Sequence, residues 1–175
     1  MSLILRVIFL ILSVALTVPA EAQKRDCSAL LAAFPPPQFN VTERPDHIEV
    51  SALQGDHYYF AEAKLTDGIL RMSIYMKSEI DGRRMPGLRG SQVFAQFMDY
   101  FGSDVRAILG DWMEGDNLDT INRFTSLPTG LKVAAAARRT WTAKQAARFG
   151  FTKIKVLRAE GRPGAYHDVQ VLFSK

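Results

Sequence analysis

Between residues 47 and 76 apolar side chains recur at every second position, interrupted twice by tight-turn signals. Ile48, Val50 and Ala52 alternate with His47, Glu49 and Ser51, and Gln54-Gly55-Asp56 then turns the chain. Residues 58–65 form a second extended run that ends in Thr66-Asp67-Gly68, a strong hairpin sequence. Leu70, Met72, Ile74 and Met76 follow on one face, with Arg71, Ser73, Tyr75 and Lys77 on the other. A period of two is that of a strand buried on one side. The segment therefore predicts a three-strand meander whose apolar face needs a cover.

The cover is legible further on. Residues 78–90 read as a basic loop, broken at Asp81-Gly82, Pro86-Gly87 and Gly90. Ser91 is the expected cap of a helix that runs to Tyr100 or Phe101 and stops at Gly102. Val93, Phe94, Phe97, Met98 and Phe101 recur at helical spacing, so this helix must pack on the sheet. Residues 105–109 read as a short strand ended by Gly110-Asp111, and Asp116 as the cap of a helix burying Leu118 and Ile121. Residues 127–130 break that helix, and 131–138 resume as an Ala-rich one. Thr142 and Gln145 have capping-box spacing, with Trp141 and Ala146 placed for a hydrophobic staple, so a last helix runs to Phe149. Residues 152–157 and 166–173 are the closing strands. The expected fold is a single α+β domain, a mostly antiparallel sheet with helices packed on one face.

The N-terminus reads differently. Residues 1–6 carry one positive charge, residues 7–18 are apolar or small, and Ala20-Glu21-Ala22 has the small-x-small form of a signal-peptidase site. Twelve apolar residues fall short of the roughly 20 that span a bilayer as a helix. The expectation is a signal peptide over 1–22, a Pro-rich leader over 23–45 and one domain over 46–175, exported to the periplasm or secreted. Cys27 is the chain's one cysteine, which rules out an internal disulfide and a cysteine-based zinc module.

Charge divides the chain. Residues 23–119 hold 10 basic and 15 acidic side chains, whereas residues 120–175 hold 11 basic and 2 acidic. From 120 to 159 there are nine Lys or Arg and no Asp or Glu. Arg138, Arg139, Lys144 and Arg148 are the candidate anion-binding residues, for a partner such as nucleic acid, an anionic glycan or an acidic protein. The alternative is that the basic segment pairs with the acidic residues 99–119 inside the domain.

A second candidate site is the segment 110–117, read as a loop between a strand and a helix, with Asp111, Trp112, Asp116 and Asn117 as its residues. Its spacing fails the EF-hand pattern, and the simpler reading has Asp116 capping and Trp112 packing. His47 and His57 flank a hairpin and are placed to approach across it. A zinc site would need His167 to join them. His167 also suits a general base beside basic helices. No nucleophile-elbow, phosphate-loop, zincin or dinucleotide motif occurs, so no cofactor or metal is assigned and an enzymatic role stays open.

The string Ile-Leu-Gly-Asp-Trp-Met-Glu-Gly-Asp-Asn-Leu-Asp-Thr-Ile-Asn at 108–122, with Arg-Thr-Trp-Thr-Ala-Lys at 139–144 and Gly-Phe at 150–151, resembles C-terminal tail domains of bacterial polymorphic, Rhs-type toxins. The resemblance covers residues 104–174 and matches no active-site motif. It implies that Trp112, Asp116, Asn117, Trp141 and Lys144 form one site, and its activity would be that of a toxin-like enzyme acting on nucleic acid.

Overall fold

The computed structural model describes residues 28–35, 38–126, 128 and 130–175. The expected signal peptide, Cys27, Pro36 and Pro37 lie outside the described residues.

Seven strands form one sheet in the order β1-β2-β3-β4-β5-β7-β6. Strands β1 (Asn40–Arg44), β2 (His47–Gln54), β3 (His57–Thr66) and β4 (Ile69–Tyr75) make an antiparallel meander. Its third hairpin, β3–β4, turns at Asp67 and Gly68, both at positive φ (50° and 76°), the geometry that the Asp-Gly pair favours. The chain then leaves the sheet through helix α2 (Gly90–Phe101) and returns as β5 (Ala107–Trp112), parallel to β4. Among the described residues this is the one parallel pair, and a parallel pair requires such a long crossover. Helices α3 (Gly115–Thr125), α4 (Val133–Ala137) and α5 (Trp141–Arg148) follow, and the hairpin β6 (Lys153–Arg162) and β7 (Ala165–Ser174) closes the sheet. The domain is α+β and mostly antiparallel, as the alternating patterns predict.

The pairing register keeps one face apolar across the whole sheet. Ile48 lies opposite Ala63 and Val50 opposite Ala61, while Ile108 sits between Leu70 and Phe173. All of these residues are buried. Helix α2 packs on β3 and β4 and lays Phe94, Phe97 and Phe101 into this core, to which β3 contributes the small side chains Ala61 and Ala63. Alternating large and small residues in this way fills a core without voids. The other face is mixed, with Glu62, Arg71, Ser73, Asp111 and Gln170 on consecutive strands.

Several boundaries differ from the sequence expectation, each for a local reason. The sheet begins in the stretch read as a leader. Strand β1 is an edge strand whose five residues are exposed or half-buried, so it pairs through its backbone and shows no apolar alternation. Leu30 of α1 (Ser28–Ala33), with Phe34 and Phe39 after it, belongs to the core, and the two Phe rings meet edge to face at 5.7 Å. Helix α2 opens at Arg89, whose amide donates to the Gln92 side chain at 2.8 Å, so Ser91 lies inside the first turn and is not the cap. Strand β5 does not end at Gly110-Asp111 but runs on to Trp112. Gly110 is there because a Cβ would overlap the Trp112 indole, which folds back over it and packs near Phe173 at 6.3 Å between ring centres.

Two helix starts are also relocated. Glu114, not Asp116, holds the N-cap position of α3, and Asp116 sits in its first turn. Thr140, not Thr142, caps α5. Its hydroxyl accepts from the Ala143 amide at 3.2 Å and donates to the Ala137 carbonyl at 2.7 Å, joining the end of α4 to the start of α5. Trp141 is therefore the first residue of α5, not the residue before its cap where a staple begins. Its ring stands edge-on to Phe94 of α2 at 5.9 Å.

Candidate functional site

The four candidate loop residues do not converge. Asp111 and Trp112 are neighbours on a strand, so their side chains point to opposite faces of the sheet. Trp112 is buried among the helices. Asp111 lies on the open face, where it accepts from Gln170 at 2.9 Å and faces Arg158 at 3.6 Å and Arg71 at 4.0 Å. Asp116 pairs with Lys77 at 3.0 Å, tying α3 to the end of the meander. Asn117 does meet α5, as a cap supplied from a neighbouring helix. Its Oδ1 accepts from the amides of Trp141 at 3.0 Å and Thr142 at 3.4 Å, and its Nδ2 donates to the Thr142 hydroxyl at 3.0 Å. Asn117 and Trp141 thus adjoin through a hydrogen bond that holds the helix start. Five residues on, Asn122 also bonds backbone, here of β7, accepting from the Tyr166 amide at 2.7 Å and donating to its carbonyl at 2.9 Å.

The histidines are also apart. His47 and His57 occupy opposite ends of the β2–β3 hairpin, because the turn joins Gln54 to His57 and His47 pairs with Lys64. They do not approach each other. His47 lies 3.5 Å from Glu62, and His167 is largely exposed, 3.8 Å from Glu160. No cluster of three His, Cys, Asp or Glu side chains suited to a metal occurs among the described residues.

His57 Nδ1 lies 2.9 Å from the hydroxyl of buried Ser78 and 3.6 Å from Asp81. Serine and carboxylate share one ring nitrogen, whereas a catalytic triad needs them on opposite nitrogens. The Ser78 oxygen also accepts from the Ile80 amide at 3.2 Å, so this trio fastens the loop after β4. The hydrogen bond from the Arg83 amide, at 2.8 Å, is the chief cause holding the Asp81 carboxyl below the usual carboxylate range. Partial burial opposes it, and the nearby His57 and Arg83 side chains add to the lowering. A lowered folded value means that the bond contributes stability above the unfolded carboxyl value of about 3.9 and loses it as pH falls through the folded value. The Arg83 amide shift, followed by NMR, should therefore titrate with a midpoint below about 3.9. A midpoint at or above that value would show that the bond is not made in solution.

The basic segment has a consistent environment. Arg138, Arg139, Lys144 and Arg148 are all exposed. Arg138 donates to the Thr152 carbonyl at 3.3 Å, at the entry to β6, and Arg148 donates to Gln145 one turn back at 3.0 Å. Arg139 lies over the Phe124 ring at 5.8 Å, and Arg123 lies over the same ring at 5.0 Å. Among the described residues, Arg158 is the one Lys or Arg of segment 120–159 with a carboxylate within 4.0 Å. The acids of 99–119 that form ion pairs do so chiefly elsewhere, Asp116 with Lys77 and Asp111 with Arg71 as well as Arg158. Internal neutralisation thus reaches one of the nine cations. Sequence reasoning did not single out Arg123, Lys132, Lys153 and Lys155. Their signal was present in the acid-free run, but only folding shows Arg123 and Arg139 sharing the Phe124 ring and Arg138 beside the start of β6.

No family model and no curated protein matches this sequence.

Proposed function

We propose that the protein is an exported binding module that presents the cations of segment 123–155 to an anionic polymer. The observation carrying this reading is that eight of the nine Lys and Arg side chains in segment 120–159 lack a carboxylate within 4.0 Å among the described residues. Desolvating paired charges would weaken any gain from a partner, and these charges have no such pairing to give up. Export rests on residues 1–22, and no helix of the described residues is long and apolar enough to cross a membrane. For the toxin-like enzyme that the resemblance implies, Asn117, Trp141 and Thr142 meet as a helix cap, so no catalytic role is assigned to them.

The test is binding of a labelled DNA duplex, a sulfated glycan and polyglutamate over a range of salt. Log affinity for DNA should fall linearly with log salt, with a slope of about −0.9 per phosphate contacted. The quadruple variant Lys144→Gln, Arg148→Gln, Lys153→Gln, Lys155→Gln removes four exposed cations. It should flatten the slope by up to about four contacts' worth and weaken binding at least about tenfold at 50 mM salt. A flat salt response, or no loss in the variant, would sink the proposal.

A further inference from the structure

On the open sheet face, at β2, β3 and β4, side chains that a solvent-facing sheet ordinarily avoids are gathered together. Leu53 lies opposite Tyr58 across β2 and β3, and Phe60 opposite Tyr75 across β3 and β4. Tyr58 and Phe60 are stacked, with ring centres 6.3 Å apart and planes inclined by 20°. Tyr58 is 55% exposed and Tyr75 48%, and Ile80 of the following loop stands out beside them. Contiguous exposed apolar surface of this kind marks interaction sites. Here it is also concave, with Tyr58, Phe60, Tyr75 and Ile80 lining a groove of about 300 Å³.

The charges at the groove specify the guest. Asp56 and Glu79 line it, and neither forms an ion pair among the described residues. Lys77 is the one cation in the wall, and its ammonium is held by Asp116 at 3.0 Å. The groove therefore combines aromatic faces, whose ring quadrupoles attract cations, with two uncommitted carboxylates. Its volume lies at the lower end of the roughly 300–1,000 Å³ of pockets that enclose drug-sized ligands, so the guest is small.

We propose that this groove binds a small alkylammonium cation, its methyl or methylene groups against Tyr58, Phe60 and Tyr75 and its charge facing Asp56 and Glu79. The site is separate from the anion-binding segment and does not depend on it. A neutral sugar would also stack on these rings, but it would leave both carboxylates without a counter-charge.

The experiment titrates the protein by calorimetry with choline, with choline's neutral tert-butyl isostere and with glucose. Choline should bind saturably and at least about tenfold more tightly than the isostere, since the two differ only in charge. Tyr75→Leu keeps the apolar bulk and removes the π face, and should weaken choline about three- to tenfold while leaving the isostere unchanged. The double variant Asp56→Asn, Glu79→Gln should weaken choline alone. Both variants are exposed, and unchanged thermal unfolding would confirm that they fold. Equal affinity for choline and the isostere would overturn the proposal. So would glucose binding without choline binding, or the absence of saturable choline binding.

Discussion

Phe94→Ala should lower the stability of the domain by about 3–5 kcal/mol, the cost of truncating a fully buried aromatic ring. Phe94 is 1% exposed, and its ring does more than fill volume. It meets Trp141 edge-on at 5.9 Å and stacks on Phe149 at 5.9 Å, one residue at each end of α5. Helix α5 has only eight residues and buries only Ala143 and Ala146 of its own, so these aromatic contacts are its main anchorage to α2. Urea denaturation would show the loss as a midpoint lowered by at least about 1 M, given slopes of about 1–3 kcal/mol per molar for small domains. The pair Phe94→Ala and Phe149→Leu should be non-additive by about 0.5–1.5 kcal/mol. A loss below about 1 kcal/mol in Phe94→Ala, or strict additivity of the pair, would mean that α5 is held by something other than this aromatic group.

What the sequence discloses and what it hides separate along one line. Elements whose side chains alternate or recur against a core are legible, since burial imposes a period of two or 3.6 on them. The meander from Ile48 to Ile74 and the Phe-rich stripe of α2 are of this kind. Strand β1 is not, because an edge strand is fixed by backbone pairing and Asn40–Arg44 contributes no apolar row. Gly110 was misread for a related reason. A glycine inside an apolar run signals a break when the chain turns there, but also when a neighbour's ring needs its space, and only the fold places Trp112 over it. The candidate site fared unevenly. The acid-free run was visible as composition, but that its described cations other than Arg158 have no carboxylate within 4.0 Å could be learned only from where Asp111 and Asp116 turn. The aromatic groove was hidden because its residues come from two hairpins and a loop. Along the chain Tyr58, Phe60 and Tyr75 read as ordinary strand residues.

Asn117→Ala should cost about 2–3 kcal/mol, more than the loss of an ordinary exposed cap. The side chain makes three hydrogen bonds, and two of them satisfy the Trp141 and Thr142 amides, which belong to the first turn of α5 and have no partner within that helix. Thr140 captures the Ala143 amide alone, so Thr140 and Asn117 divide the work of a single cap between them. The substitution of choice as a control is Asn117→Asp. It keeps an oxygen facing both amides, adds a negative charge at the positive end of the α5 dipole, and loses only the donor to the Thr142 hydroxyl, which can rotate and donate in its turn. Its stability should stay within about 1 kcal/mol of the parent. Urea denaturation of the two variants decides between roles for the residue. A large loss in Asn117→Ala that Asn117→Asp restores identifies a helix cap reaching across from α3. Equal damage in both would require a role for the amide nitrogen that the bond to Thr142 does not supply, and would return Asn117 to the list of residues with a function of their own.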